Sequence, residues 1–131
     1  MTILQLLTPL ARIPCLVVGD TVHDAFDHLE AHDASAAPIV DANGRYVGTV
    51  TEADLRRHVA AAGDRSAAFA TPLANLERRA HNPAVTTDRG LAALASRAAH
   101  HGFVPVVDST GRLLGIVPRR RILELRLPSA A

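Results

Sequence analysis

With 131 residues, 48% of them apolar, the chain is long enough for one compact domain with a real core and too short for two ordinary independent ones. Fourteen Lys and Arg against thirteen Asp and Glu leave a net charge of +1, which argues against an extensive nucleic-acid surface. A single cysteine, Cys15, excludes an internal disulfide, and no apolar run reaches membrane-spanning length, so a soluble cytoplasmic protein with neither nucleic-acid nor membrane partner is expected.

Three Phe, one Tyr and no Trp leave the core to Ala, Val, Leu and Ile. Residues 1 to 14 read as an arm with a short helical or extended piece, its apolar run Ile3 to Leu7 stopped by Thr8-Pro9. Cys15 to Val18 predicts a strand. Asp20 or Thr21 then caps a helix over Val22 to Ala31, because Val22, Ala25, Phe26 and Leu29 fall on one helical stripe. Ala36 to Asp41 and Tyr46 to Val50 predict two strands joined at Asn43-Gly44, residues that tolerate the backbone angles of a hairpin turn. A helix follows from Thr51 to about Ala61, and the Ala-rich stretch from Ala60 to Ala70 reads as a connection. Thr71-Pro72 echoes Thr8-Pro9, and Leu73 to Arg79 suits a short helix. The second half predicts a strand at Ala84 to Thr86, a helix at Leu91 to Ala99, strands at Phe103 to Asp108 and Leu113 to Val117, and a helix from Arg119 to Leu125, leaving Arg126 to Ala131 as a frayed tail.

The pattern repeats. Pro38 to Val50 reads PIVDANGRYVGTV and Pro105 to Val117, 67 residues on, reads PVVDSTGRLLGIV, with seven of thirteen positions identical. Each half is β-α-β-β-α, and half a chain of this kind is marginal alone, so the expected fold is α/β (α+β): two repeats packed as one pseudo-two-fold module, over residues 8–64 and 71–126.

Immediately after the matching segments the copies diverge, Thr51-Glu52-Ala53-Asp54 in the first and Pro118-Arg119-Arg120-Arg121 in the second. Thr51-x-x-Asp54 supports two readings. In one, Thr51 is a helix N-cap and Asp54 returns the bond as a capping box. In the other, Asp54 in the first helical turn accepts two hydrogen bonds from vicinal hydroxyls, as on a ribose, and Thr51 adds a hydroxyl contact. One side chain can serve both.

These strings resemble the cystathionine-beta-synthase (CBS) domain, whose tandem pair is called a Bateman module. The resemblance is carried by Ala37-Pro38-Ile39-Val40-Asp41, the Gly44 turn and Gly48-Thr49-Val50-Thr51-Glu52-Ala53-Asp54, and extends from about Thr8 to Leu125. It implies a regulatory module for an adenosine-containing ligand (AMP, ADP, ATP or S-adenosylmethionine), with no catalytic cofactor and no enzyme activity. Carried onto this chain, it implies that Thr51 and Asp54 hold the ribose. The base meets Pro83 and Ala84 and the stretch His101, Gly102, Phe103 and Val104, with Asp20 and Thr21 at the edge of the cleft. A homodimer, and a protein target regulated in trans, are further implications.

In the second copy Pro118 lacks a hydroxyl and an N–H, and Arg121 offers no acceptor to a ribose. Arg119 to Arg121 read either as a solvated helix start or as a contact for phosphate or an acidic partner. None of the seven histidines falls in a convincing zinc spacing. His58, four residues past Asp54, is a candidate partner for that carboxylate. No nucleophile elbow, Walker loop or dinucleotide fingerprint is present. The alternative to a sensor is a structural or protein-interaction module whose ligand site is vestigial.

Overall fold

A computed structural model describes residues 2–79, 81–98 and 102–125. In chain order the elements are α1 (Ile3–Leu6), β1 (Thr8–Pro9), a 3-10 turn (Leu10–Arg12), β2 (Leu16–Val17), α2 (Val22–Ala31), β3 (Ala36–Val40), β4 (Tyr46–Thr51), α3 (Glu52–Ala61) and α4 (Arg65–Phe69). A second 3-10 turn (Leu73–Asn75) leads to β5 (Val85–Thr86), α5 (Leu91–Ala98), β6 (Phe103–Val107), β7 (Leu113–Pro118) and α6 (Arg119–Leu123). The connection expected across residues 60–70 thus contains a helix. Asp64 caps it by accepting the Ala67 N–H at 3.2 Å, and its Ala68 is buried.

The two hairpins are built by the same residue types. Asp41 Oδ1 accepts the N–H groups of Asn43 (2.9 Å) and Arg45 (3.0 Å), and Asp108 Oδ1 those of Thr110 (2.8 Å) and Arg112 (3.0 Å). Gly44 and Gly111 complete the turns at φ +81° and +88°, where a side chain would be strained. The turns then meet across the molecule. Tyr46 N–H donates to Gly111 C=O and Leu113 N–H to Gly44 C=O, each at 3.0 Å. An offset of 67 residues turns one bond into the other, Tyr46 matching Leu113 and Gly44 matching Gly111, so the pair marks a pseudo-two-fold axis between the repeats.

The strands form two sheets, β2-β3-β4 and β1-β7-β6-β5. In each repeat a helix crosses between parallel strands (β2 with β3, β5 with β6) and the hairpin adds an antiparallel partner. Matching positions build matching cores. Ala37, Ile39, Val50 and Leu55 lie in the first, and Val104, Val106, Val117 and Ile122 in the second. Val40, Val107 and Leu113, with Tyr46 and Ala84 against them, fill the space between the sheets.

Each core also takes chain from outside its repeat. Ile3 and Leu6 of α1 are buried in the second core, and Leu73 and Leu76 in the first. β1 then pairs antiparallel with β7, Thr8 opposite Ile116. The echo between Thr8-Pro9 and Thr71-Pro72 is therefore not a structural equivalence. Pro72 bridges Thr21 instead, and the segment occupying the arm's place in the first repeat is Leu73 to Leu76, 70 residues after Ile3 to Leu6. Paired aliphatic residues, Ile3 with Leu6 and Leu73 with Leu76, carry the symmetry in place of the Thr-Pro dipeptide, because burial of apolar side chains places these segments.

Candidate functional site

Thr51 ends β4 and Glu52 begins α3, so no loop separates them and Thr51 is both the last strand residue and the helix N-cap. Thr51 Oγ1 accepts the Asp54 N–H and Asp54 Oδ2 accepts the Thr51 N–H, both at 3.1 Å, which closes the expected capping box. Asp54 is only 2% exposed. Its Oδ1 accepts the backbone N–H of Arg79, in the connection between repeats, at 3.1 Å and a hydrogen bond from the Arg57 guanidinium. Burial raises the carboxyl's pKa, but the Arg79 and Thr51 hydrogen bonds and Arg57 outweigh it and hold it below the ordinary aspartate value. The His58 candidate partner is elsewhere: its Nε2 lies 3.1 Å from Thr71 Oγ1, and Arg57 takes the carboxylate instead.

A cavity of about 500 Å³ opens beside this helix start, lined by Thr49, Thr51, Glu52, Arg56, Gly102 and Phe103 among others. It joins the first repeat's helix start to the second repeat's β6 start. Arg119 N–H donates to Gly102 C=O, which ties α6 to the same corner. A second cavity of about 310 Å³ is lined by Tyr46, Gly48, Leu76, Arg78, Asn82 and Pro83 among others. The structure thus brings Thr51, Gly102 and Phe103 to one cavity and Pro83 to its neighbour, with Asp54 buried behind the helix start.

Val104, Asp20, Thr21 and Ala84 do not line either cavity. Val104 is fully buried in the second core. Successive strand residues face opposite ways, so Phe103 borders the cleft and Val104 points from it. Asp20 and Thr21 lie at the far end of the first sheet. β2 is parallel to β3 and β4 antiparallel, so the ends of β2 and β4 are at opposite edges. Thr51 pairs with Ala36, whereas Val18 N–H bonds Val40 C=O, four residues or about 13 Å along the strand. Asp20 instead accepts the Val17 N–H at 2.9 Å, and Thr21 makes the capping box of α2 with Asp24. Ala84 is half-buried among Val40, Val107 and Leu113, on the face between the sheets. His101 lies outside the described residues.

The sequence reading missed a polar cluster between the repeats. Tyr46 Oη donates to the Asn82 C=O at 2.5 Å and lies 2.7 Å from Thr49 Oγ1. Asn82 Nδ2 donates to Thr49 Oγ1 and to the Phe103 C=O, each at 3.3 Å. Because Tyr46 must donate to the carbonyl, Thr49 donates to Tyr46, and the three residues close a ring of hydrogen bonds. Asn82 is 5% exposed, and its Oδ1 has no partner among the described residues. The available signal was Thr49, a polar residue in an apolar strand whose counterpart 67 residues on is Ile116.

The second copy has no counterpart of the Thr51–Asp54 box. Pro118 caps α6 without a side-chain bond, and Arg119, Arg120 and Arg121 are exposed. Among the described residues, no three His, Cys, Asp or Glu are grouped to hold a metal ion, and no helix is long and apolar enough to cross a membrane.

Two β-α-β-β-α repeats that exchange backbone bonds at their hairpins and share a cleft at one polar helix start define a paired-repeat module. The CBS domain family matches residues 6–61 and 80–127, and the chain belongs to that family. The CBS domains of a transcriptional regulator from Streptococcus pneumoniae are 30% identical, with 95% of this chain and 98% of that one covered at a TM-score of 0.77. A CBS domain pair/ACT domain protein from Thermotoga maritima is 20% identical over 95% and 94% of the chains, TM-score 0.77. CbpB in complex with c-di-AMP is 18% identical over 95% and 83%, TM-score 0.80. The last two likenesses are of fold. No curated protein matched the chain.

Proposed function

We propose that the chain is a regulatory module that binds one adenosine-containing small molecule in the cleft between its repeats. The observation that carries this reading is the single Thr51–Asp54 helix start, which borders a cavity shared with Gly102 and Phe103 of the other repeat. Thr51 and Asp54 are the groups to meet a ribose, and Gly102, Phe103 and Pro83 the groups to border the base. Asp54 is an ionised acceptor, as vicinal hydroxyls require. Among the described residues its partners are Thr51, Arg57 and Arg79, which suits holding a ligand. The structure of CbpB in complex with c-di-AMP, which shares the fold, is a reason to test an adenine dinucleotide beside AMP, ADP, ATP and S-adenosylmethionine.

A ligand that touches both repeats alters their relative packing only through different affinities for two packings. The output then passes to a second copy in a homodimer or to a protein target in trans, in the cytoplasm. A second reading, a structural or interaction module, draws on one observation: Thr51, Arg57 and Arg79 already occupy the Asp54 carboxylate.

Titration calorimetry with the five adenosine compounds separates the two. The sensor reading expects about one site per chain, with most of the affinity lost in Asp54→Ala. Neither heat nor a thermal shift with any of them would leave the interaction module.

A further inference from the structure

The connection between repeats does more than join them. Arg79 N–H holds Asp54 Oδ1 at 3.1 Å, on the carboxylate assigned above to the ribose. Arg78 lies across Gly48, so closely that a Cβ on Gly48 would sit 1.7 Å from its Nη1. Further along, the Asn82 C=O and amide are tied to Tyr46, Thr49 and the Phe103 C=O. The same Asn82 leaves its buried Oδ1 without a partner among the described residues. An unpaired buried acceptor disfavours the arrangement that buries it. The connection is thus fastened at Asp54 and at Asn82, with an unfavourable group at the second fastening.

We infer that Arg78, Arg79 and Asn82 belong to a strap that closes on Asp54, and that an adenosine ligand reaches this carboxylate only when the strap lifts. The inference rests on the ligand reading of Asp54 given above. Thr51 uses Oδ2, and Arg79 and Arg57 share Oδ1, so a ribose diol competes directly with the strap. The strap leads into β5, so lifting it shifts the second repeat against the first. Closure then lowers apparent affinity by the fraction of molecules that are open.

The test follows the Arg79 amide by NMR hydrogen exchange and AMP binding by calorimetry. In the free chain the Arg79 amide is expected to exchange slowly, and to lose protection in Asp54→Ala. If that variant fails to fold, Tyr46→Phe is read instead, since it unties the Asn82 C=O while leaving Asp54 intact. Saturating AMP should accelerate Arg79 exchange by roughly tenfold or more. Tyr46→Phe should bind AMP about threefold tighter or better, because it weakens the closed state. A wild-type chain that binds no AMP beside a Tyr46→Phe chain that does would support the strap most directly. An Arg79 amide that exchanges as a free amide would overturn it. So would AMP binding with Arg79 protection and Tyr46→Phe affinity unchanged, which leaves the sensor reading standing. If neither chain binds AMP or any other of the five adenosine compounds, the ligand reading falls, and the strap's role with it.

Discussion

Asp54 caps α3 through Thr51 and fixes the connection at Arg79, and the ribose role proposed for it draws on the same carboxylate. Its partners determine how stability depends on pH. The folded carboxyl is held below the ordinary value of 3.8, net of the burial that would raise it. A depressed folded pKa stabilises the fold above the unfolded pKa, and that contribution disappears as pH falls through the folded value. Asp54→Asn keeps the shape and removes the charge. We expect it to destabilise the chain by about 1–2 kcal/mol at pH 6. The gap from wild type in urea midpoint should narrow steadily as pH falls below about 4. A gap that stays constant from pH 6 to pH 3 would show that the Asp54 charge adds nothing to the fold.

At the level of elements, the strands following each hairpin carry matching glycines with unlike neighbours. A Cβ on Gly115 would lie 2.2 Å from the Thr8 backbone oxygen, and one on Gly48 only 1.7 Å from Arg78 Nη1. The shorter distance is the milder clash. Arg78 Nη1 is the end of a flexible side chain and moves aside, whereas the Thr8 oxygen is fixed in the β1–β7 ladder. Gly115→Ala is therefore expected to cost about 1–3 kcal/mol by forcing β1 from β7, and Gly48→Ala distinctly less. Chemical denaturation of both variants checks the order, and equal losses would contradict it. The same contrast explains what the sequence made legible. Helix α2 and both hairpins follow from spacing and turn chemistry within a few residues, and they appear where expected. Local patterns also mark Thr51 and Asp54 as a pair. The arm's place in the second core, the Arg79 bond to Asp54 and the Tyr46–Thr49–Asn82 ring depend on contacts between residues far apart in the chain. The end of β2 beside Asp20 is recognisable locally, whereas the end of the sheet it occupies depends on whether neighbouring strands run parallel.

For the whole molecule, the crossed arms determine how it unfolds. Ile3 and Leu6 complete the second core, Leu73 and Leu76 the first, and the two hairpins bond reciprocally at Gly44 and Gly111. Neither repeat has a complete core from its own strands and helices, so loss of one exposes apolar surface of the other. We expect a single cooperative transition. The chain supplies its own probe, since Tyr46 is its one tyrosine and there is no tryptophan. Tyr46 sits between the repeats, its hydroxyl bonded to Asn82 C=O and its backbone N–H to Gly111 C=O. Its fluorescence therefore reports the interface, while far-UV circular dichroism reports helices in both repeats. Urea curves from the two probes should coincide in midpoint and slope. A Tyr46 transition at lower urea than the helical one would mean that the repeats separate before they unfold. Each would then be stable alone, and the packing between them would be the soft coordinate on which a ligand acts.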